Sequence, residues 1–423
     1  MIAEKNWFKK FLKVIGPGFI TGAADDDPTA IAAYTQAGAQ FGFAQLWTAL
    51  FTIPLMTVFC GISAKIGMVT GKGLGRVMKD NYSKIFLYFA ISMLFVGNVI
   101  TIGADLGAMA ASAQMLLGLP FLFWLVVILV FILITEIFIP YKKYVKYLKY
   151  LALTLLAYAA VAFMVKQNWL LIAKSTFIPT IRLDKLFLLN LAAILGTNIS
   201  PYLFFWQASE EVEEEVASGK ITAMDRGIPK ITSKEISIMR ADTTIGMIFS
   251  NFICFFIAIA AASTLGAHGI TNIETPQQAA LALKPFAGNL SYILFTIGII
   301  GSGLIAVPVL AGTTSYALSD AIGWKQGLYL KLKKAHGFYG VIIIATLLGI
   351  LINFTPIKPI RMLVYAAALN AILAPPIMIF IMIIANNKKI MGSRTISLKS
   401  NILGIFTIIL MLAASIALLV SFL

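Results

Sequence analysis

The chain has 423 residues, of which 60% are hydrophobic and only 12% charged, and its mean hydropathy is +0.91. Soluble domains carry about 25% charged residues, so this composition excludes a water-soluble fold and implies a polytopic membrane protein. The net charge of +15 does not point to nucleic acid, because the basic residues form short clusters between apolar spans, as topology determinants do.

The basic N-terminus is interrupted at Pro17 and followed by acids instead of a small-residue cleavage site, so it reads as mature protein. At about 20 residues per crossing, spans are predicted at 14–38, 43–66, 85–115, 120–139, 148–165, 186–209, 241–264, 287–319, 338–354, 359–385 and 401–422, eleven in all. With the N-terminus inside, every one of the 33 basic residues except Lys166, Lys174, Arg182, Lys185, Lys284, Lys358 and Arg361 falls on the inner side. That asymmetry recurs loop by loop, supports the count, and places Leu423 outside. Cys60 and Cys254 lie in separate apolar segments, too few and too isolated for a disulfide framework or a thiolate metal site.

The first span contains GAADDDPTAIAAYTQAGA, residues 22–39. A charge near the bilayer centre costs roughly 2.5–3.5 kcal/mol on insertion scales, so three adjacent carboxylates mark a functional site by default. Pro28 removes a backbone donor and frees carbonyl oxygens ahead of it, which a cation can bind. Asp27, next to the break, is the expected direct ligand, with Asp26 and Asp25 lining the approach. The alternative is that the run only caps the half-helix opening at Pro28.

The sixth span holds a second polar run ending in proline, GTNISP at residues 196–201. Thr197, Asn198 and Ser200 offer neutral oxygens ahead of the break at Pro201; the alternative is that they bond back to their own helix or to a neighbour. Two Gly/Pro-interrupted polar segments five spans apart predict an inverted-repeat transporter with a midplane site. The expected architecture is all-α: a first repeat over 1–185 (spans 1–5), an inverted second repeat over 186–400 (spans 6–10), and an extra helix over 401–423.

GPGFITGAADDDPTAIAAYTQAGAQFG resembles the signature of the Nramp divalent-metal transporters, and the eleven-span plan is similar across nearly the whole chain. The resemblance implies that the first break carries Asp-Pro-Gly-Asn with metal-binding Asp and Asn; here it reads Asp27-Pro28-Thr29-Ala30, keeping the Asp and losing the Asn at Ala30. It implies Ala-x-x-Met-Pro-His at the second break in transition-metal members, where this chain has Thr197-Asn198-Ile199-Ser200-Pro201-Tyr202. Loss of thioether and imidazole favours harder ions bound by oxygen, and the departures resemble the Nramp-related magnesium transporter branch. The expected cargo is therefore Mg²⁺, partly hydrated because it sheds water reluctantly, with Mn²⁺ also carried.

Asn370, ahead of Pro375 and Pro376, is a further group for the ion's outer surroundings, or else a helix–helix hydrogen bond. Asp105 aligns with an acid of the proton-coupled members, but their Asp-x-x-Glu becomes Asp105-Leu106-Gly107-Ala108. The only histidines, His268 and His336, fall in predicted loops, so a proton relay of the usual kind is mostly missing and little or no proton coupling is expected. The alternative function is a proton-coupled Mn²⁺/Fe²⁺ importer. Glu210 to Glu215 form EEVEEE after the sixth span, read as a solvated loop face or as an acidic vestibule attracting cations. No HExxH, GxSxG or paired-histidine constellation suggests an enzyme. The expected partners are the bilayer and divalent ions, with no cofactor, nucleic acid or obligate protein partner, in the inner membrane of a prokaryote.

Overall fold

Proline and glycine punctuate the apolar sequence into rods. In the computed structural model, residues 16–139 and 153–422 are described. They are helical apart from loops and a single bridge between Ala223 and Arg226. The first broken span is α1 (Pro17–Asp25) and α2 (Pro28–Phe41), followed by α3 (Trp47–Thr70), the short α4 (Leu74–Asn81), α5 (Lys84–Leu117) and α6 (Phe121–Phe138). Next come α7 (Ala157–Met164) and α8 (Trp169–Phe177), then the second broken span, α9 (Lys185–Asn198) and α10 (Pro201–Ala217). The remaining long helices are α11 (Ser233–Thr264), α12 (Ser291–Ile322), α13 (His336–Leu351), α14 (Pro359–Asn386) and α15 (Leu398–Val420).

Among the described residues nine helical spans are long and apolar enough to cross a membrane. The first expected span is divided by its break into two shorter rods, and the expected fifth span, 148–165, falls partly on residues 140–152, outside the described residues. Boundaries differ most where polar capping extends a rod beyond its apolar stretch. α11 begins at Ser233 instead of 241 because Thr232 and Glu235 form a reciprocal capping box that satisfies the free amides of the first turn. His336 opens α13 instead of lying in a loop.

The acidic run 210–215 corrects the loop expectation more sharply. Glutamate is a good helix former and no breaker intervenes before Gly219 (φ +76°), so α10 continues through the run to Ala217. Glu210, Glu211, Glu213 and Glu215 are buried and only Glu214 is exposed. Glu213 accepts from the Tyr316 hydroxyl and the Leu328 amide, and Glu211 accepts from Gln207 Nε2 at 2.9 Å.

Apolar side chains such as Phe131, Leu347 and Ile405 are exposed on the outer faces of α6, α13 and α15, as lipid-facing residues are. Inside, small residues bring backbones together, since packing rather than the hydrophobic effect holds helices in lipid. Gly103 of α5 lies against the Gly349 backbone of α13, and Gly22 of α1 against Gly246 of α11. Both halves of the first broken span run along α11, while α10 runs along α3. These two contacts exchange when the first and sixth spans, and the second and seventh, are swapped. Two exceptions to the basic-residue asymmetry are also accounted for: Lys358 and Arg361 both pair with Glu274, Arg361 at 2.7 Å.

Candidate ion site

The two breaks have the same layout. In the first, Asp26 and Asp27 are the non-helical residues between α1 and α2, with Pro28 at the first position of α2. In the second, Ile199 and Ser200 separate α9 from α10, with Pro201 in the matching place. Proline suits that place because its missing amide would be unpaired there in any case. The carbonyl ends of α1 and α9 and the amide ends of α2 and α10 thus meet inside the bundle, where their partial charges are available to an ion.

Asp27 caps α2: Oδ1 accepts from the Ala30 amide at 2.8 Å and from the Thr29 hydroxyl. That arrangement realises the capping alternative for one oxygen of one residue. Asp27 Oδ2 is buried without a hydrogen-bond partner, and so are Asp25 Oδ1 and Asp26 Oδ2. Ser250 Oγ of α11 lies 2.6 Å from Asp25 Oδ2 and 2.9 Å from Asp26 Oδ1, so one hydroxyl serves two carboxylates. Cys254 Sγ contacts Asp26 Oδ1 at 3.6 Å. Exposure is 0% for Asp25 and 1% for Asp26 and Asp27. Buried carboxylate oxygens left unbonded are costly, which is what a site built to take a cation presents.

The second break joins the first at two points. Thr197 Oγ1 lies 3.2 Å from Thr29 Oγ1, and the Tyr202 hydroxyl donates to the Ala24 carbonyl at 3.3 Å. Asn198 is held by a polar knot, the two hydrogens of its Nδ2 shared among Tyr34 Oη (2.9 Å), Thr52 Oγ1 (2.9 Å) and Asn251 Oδ1 (3.1 Å). Its Oδ1 has no partner. Ser200 turns its hydroxyl back to the carbonyls of Gly196 and Thr197, the latter at 2.9 Å, as the helix-bonding alternative expects.

Two expected pathway residues stand apart from these contacts. Asn370 donates to Thr101 Oγ1 of α5 at 3.1 Å, so its hydrogen bond ties α14 to α5 instead of reaching either break. Asp105 is buried on α5 with neither carboxylate oxygen bonded. Among the described residues no three carboxylate, thiol or imidazole groups converge as a ready-made cage, so Asp25, Asp26 and Asp27 do not point at one centre. A cation here takes neutral oxygens or water alongside a carboxylate.

Sequence reasoning placed the span of α11 but missed its polar face. Thr243, Gly246, Ser250 and Cys254 recur every three or four residues, and that small, polar stripe on an apolar helix is the signal that marks the face packed on the first break. Asp242 extends it, accepting from the amides of Gly16 (2.9 Å) and Gly18 (2.7 Å) at the start of α1. At the other end Gln36 of α2 donates to the Thr271 carbonyl and accepts from the Ile273 amide.

Broken helices meeting at a buried, oxygen-lined centre define a membrane transporter of the broken-helix class. The chain belongs to the natural resistance-associated macrophage protein-like (Nramp) family, whose sequence profile matches residues 18–421; this is a family of metal transporters, not an enzyme class. A crystal structure of the Eremococcus coleocola manganese transporter, in complex with an aromatic bis-isothiourea substituted compound, is similar at a TM-score of 0.74 and 16% identity, covering 98% of this chain and 88% of that one. A mutant of the same transporter gives 0.75 at 15% identity, over 98% and 87%. Mhp1, a nucleobase-cation-symport-1 family transporter in a closed conformation, gives 0.56 at 11% identity, over 96% and 91%. At these identities the likeness establishes the fold.

Proposed function

We propose that this Nramp-family chain imports divalent cations, partly hydrated Mg²⁺ and also Mn²⁺, by alternating access with little or no proton coupling. The observation that carries this reading is the first break: three buried carboxylates, each with one unbonded oxygen, beside neutral oxygens from the second break. Asp27 Oδ2 is the direct ligand, Asp26 and Asp25 line the approach, and Thr197 and Asn198 Oδ1 contact the ion's water. Ser200 and Tyr202 stand where the transition-metal members it resembles carry a thioether and an imidazole, so the second break offers oxygen in their place, and the nearest sulfur is the Cys254 thiol on Asp26. Because the carboxylates are sealed from solvent, an ion enters only after one end of the broken helix moves, which is the requirement of alternating access. The orientation consistent with the basic loops puts the N-terminus in the cytoplasm and the C-terminus outside, in the inner membrane of a prokaryote, with the two repeats dividing near residue 185.

The alternative is a proton-coupled Mn²⁺/Fe²⁺ importer. The specific observation in its favour is Asp105, buried on α5 with neither carboxylate oxygen bonded. Influx of Mg²⁺, Mn²⁺ and Ca²⁺ into sealed proteoliposomes, with internal pH recorded together, separates the two. The proposal expects Mg²⁺ and Mn²⁺ to compete at millimolar-order concentrations with no acidification beyond leak. Acidification that follows the ion, or Fe²⁺ uptake indifferent to a large Mg²⁺ excess, establishes the alternative.

A further inference from the structure

We propose that a groove between α3, α11 and the start of α15 holds the headgroup of an anionic phospholipid of the cytoplasmic leaflet; the choice of leaflet rests on the orientation proposed above.

The groove encloses about 220 Å³ and is lined by Lys65, Arg240, Thr243 and Thr57 among others. Its charged end is uncompensated. Lys65 is only 7% exposed and makes one hydrogen bond, to the Thr395 carbonyl at 3.0 Å. Arg240 in the same groove repels it, as does Arg394 beyond the groove, whose guanidinium donates to the Ile231 carbonyl at 2.8 Å. Among the described residues none of these three cations has a carboxylate within ion-pair distance. Asp242, two residues from Arg240, is engaged with the amides of Gly16 and Gly18. A buried cation among like charges needs an anion, since an uncompensated charge out of water is strongly unfavourable.

One hydroxyl in the groove points to what that anion offers: Thr57 Oγ1 lacks a partner and suits an oxygen acceptor of the lipid. Thr57 lies two helical turns from Lys65 along α3, so the groove runs from the basic end inward past Val58 and Gly61. A side chain at Gly61 would meet nothing within 4 Å, leaving an open channel along the helix where an acyl chain can lie. A free inorganic anion would use the charged end and leave that channel unused. Basic pockets between helices on the cytoplasmic side are the recognised setting for anionic headgroups.

The test uses the full-length protein, delipidated in detergent, with phosphatidylglycerol, phosphatidylcholine of the same chains, or inorganic phosphate added. Retained lipid is counted by native mass spectrometry and stabilisation read as Tm. The proposal expects one retained phosphatidylglycerol, bound about tenfold or more tightly than phosphatidylcholine, a difference of about 1.4 kcal/mol. Arg240→Gln with Arg394→Gln removes that preference. Gly61→Leu fills the channel, leaves every charge in place, and weakens phosphatidylglycerol by a similar factor. Equal retention of the two lipids, unchanged binding in Gly61→Leu, or the same Tm rise from inorganic phosphate overturns it. Binding in detergent does not depend on membrane orientation, so failure here bears on the groove and leaves the transport reading standing.

Discussion

At the first break two aspartates, Asp26 and Asp27, occupy the non-helical positions ahead of proline; at the second, Ile199 and Ser200 occupy the same positions. The surroundings differ as sharply as the residues. Around the first, three carboxylate oxygens are left unbonded, whereas at the second the Ser200 hydroxyl and the Asn198 amide hydrogens are spent within the protein. The same backbone device therefore serves two tasks. On the proposed reading, one break would concentrate negative charge for a cation, and the other would fix the geometry around it through Thr197, Tyr202 and the Asn198 knot.

If charge resides on one side only, Asp27→Ala has the largest effect. Divalent-ion uptake in proteoliposomes falls to the leak of protein-free vesicles while the detergent-purified protein stays monodisperse; uptake at the wild-type rate removes Asp27 as the ligand. The next effect is on selectivity. Ala30→Asn together with Ser200→Met restores an amide and a thioether, and the ratio of Cd²⁺ to Mg²⁺ uptake rises by roughly tenfold, the scale on which changes around a metal act. The shift stays incomplete because Asn198 and the surrounding helices keep their places, and an unchanged ratio means that these two positions do not set selectivity.

Asp26→Asn and Asp25→Asn sharpen the comparison within the first break. Both lose a charge, and uptake slows by several-fold for Asp26 and less for Asp25, with rates checked at saturating ion. Equal, negligible changes reduce both to capping. Ser200→Ala is the smallest: its hydroxyl bonds only its own helix, so Mg²⁺ uptake stays within about twofold of wild type. A larger loss places the hydroxyl on the ion's path and erases the contrast between the breaks.

Both breaks were legible in the sequence because proline and adjacent polar residues are conspicuous against hydrocarbon. Asp27 was legible for the same reason. The partners of the carboxylates were not, since Ser250 and Cys254 are isolated small residues whose relation to Asp25 and Asp26 arises only when α11 packs on α1. The fate of EEVEEE was hidden for the opposite reason. A charged run looks solvated until loops from elsewhere in the chain, such as the one bringing the Leu328 amide to Glu213, cover it. Asn370 exposed a third limit: a polar residue beside helix-breaking prolines has the same local pattern whether it faces an ion or, as here, Thr101.

The seam between α1 and α11 carries a consequence for turnover. Gly18 abuts the Thr243 backbone and Gly22 abuts Gly246, so this stretch of the contact is largely main chain against main chain. Glycine has no rotamers to freeze, and re-docking such a surface costs far less side-chain entropy than seating long residues would. In the proposed cycle α1 would part from α11 along this face with little side-chain repacking beyond the Phe19–Phe249 ring contact. Each return in that cycle would have to re-form the bonds of the Asp242 carboxylate to the Gly16 and Gly18 amides and of Ser250 to Asp25. The seam is a glycine face held at two polar points, Asp242 at one end and Ser250 on Asp25 at the other.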